Sequence, residues 1–64
     1  MINDRLIKDL RNVMKEKNLS PYAIARFVEA APKSISRWLN YENRPSLIYR
    51  KSIQRGIIRI KRLP

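Results

Sequence analysis

Cysteine and histidine are both absent from this chain of 64 residues. Without cysteine there is no disulfide to staple a small core, which suits a reducing compartment. Without histidine the usual zinc ligand sets and the commonest general base are missing. The five carboxylates, Asp4, Asp9, Glu16, Glu29 and Glu42, are scattered and show no pairing toward a shared pocket. Ser20, Ser34, Ser36, Ser46 and Ser52 therefore have no partner that would activate them as nucleophiles. Gly56 is the only glycine, which disfavours glycine-turned hairpins and rules out a phosphate-cradling glycine loop. No enzyme activity, cofactor or metal is expected. No apolar run approaches the roughly 20 residues of a bilayer span, and the opening residues lack a signal peptide's basic flank and apolar stretch. The expectation is a soluble, cytoplasmic protein.

What is abundant is positive charge. Fifteen Lys and Arg against five Asp and Glu give a formal net charge of +10 and a sequence pI near 11.0. In so small a domain this points to a polyanion, nucleic acid before an anionic membrane surface. The charge is uneven: beyond Glu42 there is no acid, while Arg44, Arg50, Lys51, Arg55, Arg59, Lys61 and Arg62 accumulate.

The length fits one domain, and hydrophobic periodicity divides it into helices. From about Asp4 to Lys17, Leu6, Ile7, Leu10, Val13 and Met14 form one stripe; Asn3 is the candidate N-cap and Asn18 the candidate left-handed terminator. Ser20 caps a second, short helix with Pro21 at its first position, and Ile24, Phe27 and Val28 form its buried edge. A third helix is predicted from Pro32 to about Tyr41. Its wheel gathers Ile35, Trp38 and Leu39 on one side, and Lys33, Ser36, Arg37 and Asn40 on the other. After Asn43-Arg44-Pro45, Ser46 is the candidate cap of a fourth helix. It carries Leu47, Tyr49, Ile53, Ile57 and Ile60 at helical spacing and extends to about Lys61. The β-branched run after Gly56 also admits a strand paired with a second subunit, though helix is favoured.

Two helices joined by a short turn, the second with a polar outer face, are the elements of a helix-turn-helix. Leu19-Ser20, Ile24-Ala25, Val28, Ser34-Ile35-Ser36-Arg37-Trp38 and Asn40 resemble the phage-repressor and Cro-type helix-turn-helix family, and Arg44-Pro45-Ser46-Leu47 resembles that family's loop into its fourth helix. The resemblance spans about residues 4 to 57. It implies an all-α, lambda-repressor-like bundle of four to five helices in a single domain over residues 1–64. It also implies sequence-specific binding of double-stranded DNA, as a homodimer with half-sites one turn apart, in a small transcriptional regulator or repressor. By position it assigns base reading to Pro32, Lys33, Ser36 and Arg37. Backbone contacts fall to Ser20, Pro21, Tyr22, Asn40, Tyr41 and Arg44. The chain departs from the family where Glu29 takes a turn position often held by Gly. Ala31 replaces the usual Ser or Thr cap, Leu39 stands where a charge is common, and Arg50 and Lys51 stand where apolar residues are common. Two rival expectations are a protein-interaction module on the same fold, such as an adaptor or antitoxin, and membrane-surface binding through Ser52 to Leu63.

Overall fold

The computed structural model describes residues 4–63, which form four α-helices and, among the described residues, no strand: α1 (Arg5–Lys17), α2 (Pro21–Val28), α3 (Pro32–Leu39) and α4 (Leu47–Lys61). This is a small all-α bundle.

Each helix begins and ends for a local reason. The Asp4 carboxylate caps α1, accepting from the Leu6 and Ile7 amides at 3.1 and 3.4 Å. Asn3, the expected cap, lies outside the described residues; Asp4, the next residue, is the N-cap. Asn18 ends α1 at φ 56°, with its N–H donating to Lys15 O and that of Leu19 to Met14 O, a Schellman arrangement. Ser20 Oγ accepts from the Ala23 amide at 3.3 Å and Pro21 opens α2. Glu29 ends α2 in the left-handed conformation, φ 57°, as its place in the turn required. Ala31 gives α3 no side-chain cap. Pro32, whose missing N–H leaves no donor to satisfy, opens that helix.

α3 stops at Leu39 and not at Tyr41. Tyr41 takes φ 59°, its N–H reaches Trp38 O, and the Glu42 N–H reaches Arg37 O at 2.9 Å. The Schellman closure turns the chain away two residues earlier than periodicity suggested, so Asn40 and Tyr41 belong to the turn.

The core joins one stripe from every helix: Ile7, Leu10, Val13 and Met14 of α1, Ile24 and Val28 of α2, Ile35 and Trp38 of α3, and Ile53, Ile57 and Ile60 of α4. Burying an aliphatic side chain of this size contributes about 1.5–3 kcal/mol. That is how α2 and α3, each only about two turns long, stay helical. α4 packs on α2 and α1, while α3 packs on α2 and, less extensively, α1. Gly56 lies at the α2–α4 crossing: a Cβ there would stand 2.9 Å from Val28 Cγ2 and 3.1 Å from the Phe27 carbonyl oxygen.

Two expectations for α4 need correction. Leu47 is 71 % exposed and Tyr49 42 % exposed, so the buried stripe starts at Ile53. Tyr49 lies beside Trp38, with ring centroids 5.2 Å apart and planes tilted by 53°. Residues 57–61 are helical, because Ile57 and Ile60 continue the stripe of Ile53 into the core.

Candidate nucleic-acid interface

The outer face of α3 follows from its inner one. Ile35 is fully buried and Trp38 is 5 % exposed. At about 100° per residue, this turns Lys33, Ser36 and Arg37 outward. Lys33, Arg37 and Asn40 are exposed and Ser36 is half-buried between them. No acid lies on α3; the nearest in sequence are Glu29 and Glu42. An α-helix with its side chains is about 10–12 Å across, which fits the roughly 12 Å width of a B-DNA major groove.

The remaining candidates lie at the starts of α2 and α3 and in the loop beyond α3. Ser20 and Tyr22 are exposed and Pro21 half-buried at the start of α2. Pro21 and Asn40 line one surface hollow together with Arg11, Met14 and Leu39. The fold thus brings the start of α2 beside the end of α3, joining candidates some twenty residues apart. Pro32 is half-buried and Arg44 exposed in the loop before α4. Tyr41 is half-buried against the core, and its ring lies 5.7 Å from the Arg11 guanidinium carbon.

Arg11 went unrecognised in the sequence. From α1, its Nη1 donates to the Leu39 carbonyl oxygen at 2.6 Å, neutralising the negative end of α3. It anchors α3's last turn to α1, and no local pattern announces a contact across 28 positions. Arg50, which read only as a departure from the family, is a partner of Asp4: Nη1 meets Oδ2 at 2.8 Å and Nη2 meets Oδ1 at 3.3 Å. Asp4 is 5 % exposed. The Arg50 guanidinium, helped by the Ile7 and Leu6 amides, outweighs burial and holds its carboxyl below the usual value. This pair clamps the start of α1 to α4. It is the one ion pair among the described residues, so Lys33, Arg37 and Arg44 have no carboxylate partner there.

No described helix is long and apolar enough to cross a membrane. Compared with family models, curated proteins and solved structures, the chain matches none.

Proposed function

We propose that this protein binds double-stranded DNA through a helix-turn-helix formed by α2 and α3, as a small transcriptional regulator of the phage-repressor and Cro type. The observation that carries the reading is the division of α3. Ile35 and Trp38 are committed to the core, while Lys33, Ser36, Arg37 and Asn40 make an outward surface without an acid. Arg37 is assigned a bidentate contact to guanine O6 and N7, with Lys33 its neighbour one turn earlier. Ser36 allows close approach, and Pro32 offers apolar contact to a thymine methyl. Ser20, Pro21, Tyr22, Asn40, Tyr41 and Arg44 engage phosphates, which position the protein without reading sequence.

A homodimer on a near-palindromic site belongs to this proposal, with half-sites roughly 34 Å apart. Leu47, 71 % exposed at the start of α4, is its candidate apolar contact. Attachment to a bilayer through residues 52–63 is the weaker reading, since Ile53, Ile57 and Ile60 are committed to the core.

Selection of bound sites from random duplex DNA, followed by mobility shifts, tests the proposal. Arg37→Ala is expected to reduce discrimination between the selected site and random duplex by about 1–3 kcal/mol. Equal weakening on both would remove its base-reading role, and failure to enrich any sequence would sink the specific-binding reading.

A further inference from the structure

A second face of the molecule, to which α3 contributes nothing, combines apolar and cationic groups. Phe27 and Glu29, where α2 ends, and Ser52, Arg55, Ile58 and Arg59 of α4 line an open groove of about 320 Å³. That lies at the bottom of the roughly 300–1,000 Å³ range of small-molecule sites, so it has room for one or two side chains. The groove runs beside the Gly56 crossing, where α4 approaches the α2 backbone closely. Ile48, Ser52, Arg55 and Arg59 follow one another at i, i+4, i+7 and i+11, which puts them in one row along α4. Ile48 is 77 % and Ile58 53 % exposed. Neither Arg55 nor Arg59 has a carboxylate within salt-bridge distance among the described residues, and α4 carries no acid of its own.

We propose that this row and groove dock an acidic amphipathic helix of another protein. Its apolar stripe would cover Ile48 and enter the slot between Phe27 and Ile58, while flanking carboxylates meet Arg55 and Arg59. Charge complementarity selects this occupant. A second copy of the chain would oppose Arg55 and Arg59 with their own equivalents. Duplex DNA could satisfy the guanidiniums but would leave Ile48 and Ile58 without apolar cover. A phospholipid surface, being flat, does not fill a recess. Helix-in-groove binding of this kind draws its affinity from a few apolar anchors and its selectivity from the charges around them.

The test uses the full-length, 15N-labelled protein and a synthetic helical peptide with Leu at i, i+4 and i+7 bordered by Glu. Its control is an isomer with the same Leu and Glu residues distributed around the helix. Amide shift changes are expected to centre on Phe27, Ser52, Arg55 and Ile58, with the isomer binding about tenfold more weakly or worse. Arg55→Glu and Ile58→Asp, both at exposed positions, are each expected to weaken the peptide about tenfold at an unchanged melting temperature. Equal binding of the isomer, or shift changes spread over every basic surface, would reduce the effect to general attraction by the net charge and overturn the proposal. So would anionic phosphatidylglycerol vesicles that capture the wild type but not Ile58→Asp, since the face would then belong to lipid. Concentration-dependent self-association lost in Ile58→Asp would assign it to a second copy and overturn it equally.

Discussion

At the scale of single residues, the backbone departs from ordinary preferences where the chain turns without glycine. Asn18, Glu29 and Tyr41 all have positive φ. Asn tolerates this conformation, whereas for other residues it costs roughly 1–2 kcal/mol. Tyr41 is packed against the core, but Glu29 is exposed, so nothing in its side-chain burial offsets the strain. Glu29→Gly is expected to stabilise the protein by up to about 1 kcal/mol after glycine's greater unfolded-state entropy is deducted. For a domain of this size that is a rise in melting temperature of up to about 4–8 °C, measured by circular dichroism. A lower melting temperature would mean that the left-handed turn carries no strain. Arg11 belongs to the same scale: one guanidinium both satisfies the end of α3 and covers Tyr41.

Between elements, two contacts determine how the helices meet. In an exposed helix, replacing glycine with alanine gains about 1 kcal/mol. At Gly56 the sign is expected to reverse, because the new methyl would meet buried Val28 and the Phe27 carbonyl, a backbone group with little room to move. Overpacking of this kind typically costs about 1–3 kcal/mol, and chemical denaturation of Gly56→Ala measures it; a more stable variant would show the crossing to be looser than described.

The second contact, Asp4 with Arg50, gives stability a pH dependence. The folded-state pKa of Asp4 lies below its ordinary value, chiefly through the Arg50 hydrogen bonds. Its contribution is therefore complete above the unfolded value of about 3.9 and is lost as pH falls through the lower, folded one. Below about pH 4, Asp4→Asn is expected to lose less stability than the wild type over the same acid range. Parallel acid-unfolding curves would exclude Asp4 as a source of that dependence.

For the whole molecule, net charge dominates. A chain of +10 attracts any polyanion, so affinity for DNA is expected to fall steeply with salt. Each phosphate contact contributes a slope of about −0.9 in log K against log salt. Arg44→Ala, in the exposed loop beyond α3, is expected to weaken specific and random duplexes alike and to make that slope shallower by about one unit. Titrations at several salt concentrations provide the check; an unaltered slope would remove Arg44 from the set of phosphate contacts.

Much of this architecture was legible in the order of residues, because helices record themselves locally. The three-four spacing of Ile7, Leu10, Val13 and Met14, the Ser20-Pro21 start and the opposition of Trp38 to Arg37 are relations within one or two turns. Periodicity and capping chemistry determine such relations before any helix meets another. What only the tertiary structure decided lies between distant positions. Asp4 and Arg50 are 46 residues apart and Arg11 and Leu39 are 28 apart; no pattern within a turn encodes which cation finds which acceptor. The same holds for Leu47 and Tyr49, whose helical spacing suggested burial although α4 reaches the core only from Ile53. It holds for Gly56 as well, whose missing side chain matters only because another helix passes there. Local spacing tells which face of a helix is apolar, whereas the packing of the other helices decides how much of that face has something to lie against.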